Sequence, residues 1–300
     1  MNAPLANRKS WFEATARARI GGLLDAGSFV EFLQPAASQP SPHLAQLDLP
    51  GAFDDGVVVG CGRLEKMPIF VIAQEGQFIG GSVGEIHGAK IVGTLRRAVE
   101  EKPAAVLFLI DSGGVRLHEA NAGLIAISEI MRAVLDARAA GVPVVALVGG
   151  SCGAFGGMGI VAKLCSGIVI SEEGRLALSG PEVIETVMGV EEFDAKDRAL
   201  VWRVTGGKHR YLMGDCALLV DDDLAAFRSG AAEFLTGWRE AGPSLAALRS
   251  SQQALENRLA AYATYRDGLD VWAALGVAQP DSVPLLDSDR LVALKKGLPT

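Results

Sequence analysis

Two glycine-rich turns stand where a main chain could do chemistry. One is Asp111-Ser112-Gly113-Gly114-Val115-Arg116-Leu117-His118-Glu119. The other is Gly149-Gly150-Ser151-Cys152-Gly153-Ala154-Phe155-Gly156-Gly157. Each closes a continuous apolar run (106–110 and 143–148) and each precedes residues with helical spacing. Glycine pairs let the backbone turn sharply and approach a ligand, because no Cβ intervenes. A strand that breaks at such a turn ahead of a helix leaves amide N–H groups without intrahelical acceptors. Groups of that kind stabilise negative charge developing on an oxygen. The two units recur about 40 residues apart, a spacing that suggests a repeated structural unit. Ligands of parallel sheets gather at the carboxyl ends of the strands, where both turns fall.

The elements that must carry these turns follow from the hydrophobic pattern. Unbroken apolar runs imply strands buried on both faces. A helix is expected over 10–26, a short strand over 28–32, and a long surface loop over 34–55 that includes His43. Two strands joined at Glu65-Lys66 form a hairpin. Gly80-Gly81-Ser82-Val83-Gly84 opens a helix that must stop before Pro103; it reads equally as a binding loop or as close packing of helix on sheet. A helix over 121–140 follows the first turn. Beyond the second turn come a helix (158–164), short strands over 167–171 and 175–179, and a helix begun by Pro181. A further helix (195–204), a basic turn (206–210) and a strand (216–220) complete the series. Asp221-Asp222-Asp223 reads as a helix cap rather than a metal cluster. A long helix over 244–266, then a short helix and a tail, end the chain.

Composition narrows the class. The chain has 300 residues, 49% hydrophobic and 21% charged, with net charge −7, which gives no electrostatic reason to expect nucleic acid. It contains no apolar run long enough to span a membrane, and the N-terminal stretch lacks an apolar signal core, so a cytoplasmic protein is expected. The cysteines (Cys61, Cys152, Cys165, Cys216) form no CxxC pair, which argues against zinc; Cys152, near the second turn, reads as a small buried filler.

A resemblance now becomes specific. Gly80-Gly81-Ser82-Val83-Gly84, the 111–119 turn, Gly156-Gly157 and Gly180-Pro181-Glu182-Val183-Ile184-Glu185 occur in one order. Together they resemble the motif series of the biotin-dependent carboxyltransferase β subunits, in the crotonase superfamily, across about residues 55–235. In length and in its Ala-rich C-terminal helix the whole chain is similar to the β subunits of biotin-independent malonate decarboxylases. It carries neither the four-cysteine zinc ribbon of bacterial acetyl-CoA carboxylase β subunits nor a Met-Lys-Met biotinylation site.

The resemblance implies an α/β fold, a crotonase-like spiral of ββα units with a C-terminal helical region. It implies one domain over 1–300, with an N-terminal helix and loop to about residue 55 and a helical extension from about residue 236. The implied activity converts a malonyl thioester on an acyl carrier protein to an acetyl thioester and CO2 through an enolate. Backbone amides of Gly113-Gly114 and Gly156-Gly157 would hold its oxygen. Gly80, Gly81, Ser82, Val115, Arg116 and His118 would line the substrate groove, with Arg116 as an ion-pair anchor for its turn. Glu182, His87, His118 and Glu119 are candidates to protonate the enolate, although an acid at Glu182 also complements a helix dipole. No metal, biotin or bound cofactor is implied; the substrate rides on a CoA-derived prosthetic arm. The implied partners are a homologous γ subunit sharing the site, the acyl carrier protein and its transferase. A carboxyltransferase subunit and a non-catalytic scaffold are the alternatives.

Overall fold

In the computed structural model, which describes residues 9–37, 39–52 and 54–298, the chain enters through α1 (Ala16–Leu23), β1 (Val30–Glu31) and α2 (Pro42–Gln46). The hairpin of β2 (Val57–Leu64) and β3 (Met67–Gln74) follows, antiparallel from Val57 opposite Gln74 to Leu64 opposite Met67. Its turn residues, Glu65 and Lys66, both have positive φ (49° and 70°), as the twist of a two-residue hairpin requires. Asp25 accepts both turn amides and holds them there.

From β3 onward the chain repeats strand, short extended segment, helix. α3 (Glu85–Glu101) leads to β4 (Ala105–Ile110), α4 (Asn121–Ala139) to β5 (Val144–Val148), and α5 (Gly156–Leu164) to β6 (Gly167–Ser171). α6 (Pro181–Met188), α7 (Arg198–Thr205) and α8 (Gly207–Leu212) connect to β7 (Leu218–Val220). The strands lie in sequence order in one sheet, parallel from β3 to β7. Between each strand and its helix the chain pairs with the equivalent segment of the next unit: Val83 with Val115, Ser112 with Ala154, Ala154 with Leu176. The units therefore advance in one direction, as a spiral of ββα repeats does. α9 (Leu224–Gly237), α10 (Leu245–Tyr262), α11 (Gly268–Ala274) and α12 (Ser288–Lys296) complete the chain.

The buried strand runs have a simple cause. Side chains alternate across a strand. Val106, Phe108 and Ile110 of β4 enter a core with α3, α4 and α5, while Ala105, Leu107 and Leu109 enter a second core with α1 and α9. A strand feeding two cores has no polar face. The C-terminal region joins the first core through Trp272, Val283 and Leu291. α10 is the exception: it buries no residue and is tethered by Arg258 to Asp215 and to the Met213 carbonyl. No helix among the described residues is long and apolar enough to cross a membrane.

Several sequence expectations shift. α1 starts at Ala16, not Ser10, because Trp11 leaves the helical path to stack on Phe227 (centroids 4.0 Å apart) and Thr15 caps the helix instead. The loop expected over 34–55 holds α2, begun by Pro42, with His43 inside it and hydrogen-bonded to Glu85 (2.9 Å). The segment expected as a strand over 175–179 makes only single bridges, to Ala154 and Gly206. The basic turn is helical as α8, because burial supplies what the sequence hid: Lys208 reaches the Pro284 carbonyl (2.7 Å) and Glu172 (2.8 Å). The long C-terminal helix ends at Tyr262, and the tail contains α11 and α12. Asp223 caps α9, as the sequence suggests, while Asp222 holds Ser10 and Phe12 and Asp221 accepts from Ser288. Residues 1–8, 299 and 300, together with Ser38 and Phe53 of the expected loop, lie outside the described residues.

Candidate functional site

The two glycine turns meet. A Cβ built on Gly114 would lie 3.1 Å from the Phe155 carbonyl oxygen and 3.3 Å from the Gly156 Cα. One built on Gly156 would lie 3.3 Å from the Gly114 Cα. Both residues have positive φ (117° and 56°), so the junction needs glycine for conformation as well as for space.

The amide accounting at this junction is selective. Gly113 N–H donates to the Gly80 carbonyl (2.9 Å), Gly156 N–H to the Leu178 carbonyl (2.8 Å), and Gly114 N–H to Ser112 Oγ (3.1 Å). The Val115 and Gly157 amides have no protein acceptor among the described residues. For Val115 the cause is strand geometry. Gly114 O and Arg116 N both bond Val83 (2.8 and 2.9 Å), and in an extended segment alternate residues address opposite sides. Val115 N–H therefore faces away from Val83. For Gly157 the cause is its place in the first turn of α5, where amides lack an intrahelical partner. Both residues are only half-buried. Of the four nominated glycines, three thus spend their amides on the scaffold, and Val115, nominated for binding, presents a free one.

The first turn rests on a buried charge cluster. Arg116 is 1% exposed; it donates to Glu119 (2.9 Å), to Asp55 (3.4 Å) and to the Ser82 carbonyl (3.0 Å). Burial pushes the Asp55 carboxyl up despite Arg116. Burial also works against ionised Glu119, but the Glu85 amide and Arg116 hold it below the ordinary carboxylate range. Glu119 is thereby committed to the N-terminus of α3. Gly80 and Gly81 sit beneath the turn; a Cβ on Gly81 would overlap the Asp111 carbonyl. Ser82 Oγ turns back to Ile79 (2.6 Å). His118 and Glu182 are exposed.

His87 is fully buried. Its Nδ1 meets the Asp55 carbonyl (3.1 Å) and its Nε2 the Gln74 side-chain nitrogen (3.1 Å), a pairing that suits one neutral tautomer. Burial, then Arg116, drives its pKa far down. Burial likewise pushes His209 to about 3. Neither ring carries a proton to donate as imidazolium near neutrality. The sign for stability follows. The folded protein keeps both rings neutral, whereas the unfolded chain protonates them below about pH 6.5. Stability therefore falls with acidification, by up to about 1.4 kcal/mol per ring per pH unit below that value. Urea midpoints at pH 7.5 and 5.5 check this, with His209→Gln expected to flatten the slope; identical midpoints would refute it.

Two residues that hold the second turn went unforeseen. Arg175 packs its guanidinium against the rings of Phe155 (5.4 Å) and Trp202 (4.9 Å) and donates to the Ser151 carbonyl. Nothing in its sequence context marks it. Asp111, read only as part of the first turn, sends its carboxylate across to the Cys152 amide (2.7 Å). Burial, then Asp111, raises the Cys152 thiol, so it stays protonated, and Sγ donates to the Gly76 carbonyl (3.3 Å). Leu117, Leu124 and Ile125, which follow the first turn, and Leu178, Val183 and Val187, which lie beyond the second, are each more than half exposed.

Comparison with known proteins places this geometry in context. Residues 12–238 match the carboxyl transferase domain model. Over 97% of the chain, and 96% of the relative, the sequence is 44% identical to malonyl-S-ACP:biotin-protein carboxyltransferase MADC of Malonomonas rubra. The structure superposes on a subunit of a Pseudomonas malonate decarboxylase hetero-tetramer in complex with malonate, with a TM-score of 0.82, 40% identity, and coverage of 90% of this chain and 98% of that one. A subunit of the Pseudomonas MdcD–MdcE hetero-dimer gives 0.68 and 38%, covering 85% and 100%.

Proposed function

Because the chain belongs to the carboxyl transferase domain family, we propose that its two bends serve one step, stabilising a thioester enolate with the amides of Val115 and Gly157. The chain has a crotonase-like α/β fold and is a malonyl-thioester decarboxylase subunit. In the reaction the bond from the central carbon to the carboxylate breaks. Its electron pair enters the thioester C=O, CO2 leaves, and the enolate carbon takes a proton to give the acetyl thioester. Amides fixed before the charge develops need no reorganisation; losing one such donor typically costs about 10²–10³ in rate. The observation that carries this reading is the Gly114–Gly156 contact, with an unengaged amide immediately after each glycine.

The reaction sets further requirements. The carboxylate must stand out of the thioester plane for the breaking bond to overlap the carbonyl, and a strong cation directly on it would stabilise the ground state. Arg116 meets that condition, since its head is committed to Asp55 and Glu119. For protonation, His87 and Glu119 are withdrawn into the scaffold. That leaves Glu182 and His118, both exposed, as the candidates, with Glu182 also complementing the N-terminus of α6. A homologous γ subunit seats on the apolar rim and closes the site. The malonyl group arrives on the CoA-derived arm of an acyl carrier protein, loaded by a transferase subunit. No biotin is attached to this chain.

The 44% relative supports a second reading, in which the carboxyl group passes to a biotin protein. Both reactions use the same enolate. The complex assayed with malonyl-loaded carrier and excess avidin separates them. Undiminished release of CO2 and acetyl thioester is expected; turnover abolished by avidin would establish the transferase.

A further inference from the structure

We propose that the buried Arg19–Asp111 ion pair is a positioning device that sets the separation of the Val115 and Gly157 amides. This rests on the enolate reading above. Asp111 is the residue at which β4 passes into the first bend, so its backbone moves with Gly113-Gly114-Val115. Its side chain belongs to the other bend: Oδ1 accepts the Cys152 amide at 2.7 Å. One residue therefore ties the two halves of the site together. The backbone ladder at Ser112 (N–H to the Gly153 carbonyl, 2.7 Å; carbonyl from Phe155 N–H, 3.0 Å) sets the register along the strand. The carboxylate sets how closely the loop at 149–153 is drawn in.

The surroundings are shaped to admit that carboxylate. A Cβ on Gly76 would lie 2.6 Å from Oδ2, and one on Gly150 would overlap the carboxyl group itself. Asp111 is 1% exposed, and a buried carboxylate is costly unless paired and hydrogen-bonded. The compensation comes from outside the repeats. Arg19 of α1, 2% exposed, donates Nη1 to Asp111 Oδ2 (2.8 Å), Nε to the Trp11 carbonyl (2.9 Å) and Nη2 to the Phe12 carbonyl (3.3 Å). A guanidinium anchored by two carbonyls cannot follow a moving carboxylate, so the N-terminal segment holds Asp111, and through it both bends, in one place. Misplacement by about 1 Å can cost about 10²-fold in rate.

The test uses the assembled complex and malonyl-loaded carrier. Variants are the neutral pair Arg19→Met with Asp111→Asn, and Gly76→Ala, which keeps both charges but crowds the carboxylate. Each is also combined with a backbone ester at residue 115, which removes that N–H and weakens only the adjoining Gly114 carbonyl as an acceptor from Val83. The expected result is a kcat lowered about 10–100-fold with KM within about threefold, and much smaller further losses in the ester background, since the pair acts through that donor. A merely structural role would lower Tm and leave kcat per folded molecule unchanged. That outcome, alongside an impaired ester variant, would overturn this proposal alone. A fully active ester variant would overturn the enolate reading and this proposal with it. If the neutral pair does not fold, Gly76→Ala decides by the same kcat and KM criteria.

Discussion

Replacing Gly114 with alanine should lower kcat by about 10²–10³-fold while the protein still folds. Two effects combine at this position. At φ of 117° an L side chain is strained, and the new methyl would press on the Phe155 carbonyl at 3.1 Å and on the Gly156 Cα at 3.3 Å. Both contacts are backbone, so neither yields by a rotamer change. The junction must open instead, and opening moves Val115 N–H relative to Gly157 N–H. KM should change little, because these amides act on charge that develops only in the transition state. Steady-state kinetics with malonyl-loaded carrier check this, alongside Tm. A Gly114→Ala enzyme with wild-type kcat would show that the spacing of the bends is not critical.

Replacing Arg116 with methionine should cost about 3–5 kcal/mol of stability. The side chain is entirely buried between Asp55 and Glu119, whose carboxylates are themselves 1% and 0% exposed. Removing the cation leaves two carboxylates in a site that water does not reach, which is the expensive way to break a buried pair. The damage spreads along hydrogen bonds: Asp55 accepts the His87 amide (2.8 Å) and Glu119 the Glu85 amide (2.7 Å), so α3 loses its anchor. Chemical denaturation of the purified chain measures the loss. A cost below about 1 kcal/mol, the value of a surface pair, would mean that the cluster is not the support its burial implies. Catalysis per folded molecule should fall much less than in Gly114→Ala, because Arg116 acts on the turn from behind.

How much of this was legible in the sequence varies by element. The β4 run was legible because a strand feeding two cores has no polar residue to interrupt it. The two glycine bends were legible because only glycine accepts their φ and their mutual approach. Which amides remain free was not legible. That depends on acceptors from other units, the Gly80 carbonyl below Gly113 and the Leu178 carbonyl beside Gly156, and no local pattern reports them. Arg19 lies 92 residues from Asp111, and within α1 it reads as one basic residue among several. α8 was hidden because Lys208 and His209 look solvent-loving in sequence but are 7% and 8% exposed. Trp11 was absorbed into an amphipathic helix because its actual partner, Phe227, sits in α9 at the far end of the sheet's connectivity.

The most direct measurement replaces one atom pair. Incorporating the α-hydroxy acid analogue of valine at position 115 turns a single amide into an ester and deletes the N–H without altering a side chain. Since that N–H has no protein acceptor among the described residues and the Gly114 carbonyl keeps its place opposite Val83 as a weaker acceptor, the protein should fold, with only a small loss in Tm. With malonyl-loaded carrier, kcat should fall by about 10²–10³-fold with KM nearly constant. An ester enzyme that decarboxylates at the wild-type rate would contradict the assignment of Val115 as a donor to the enolate oxygen.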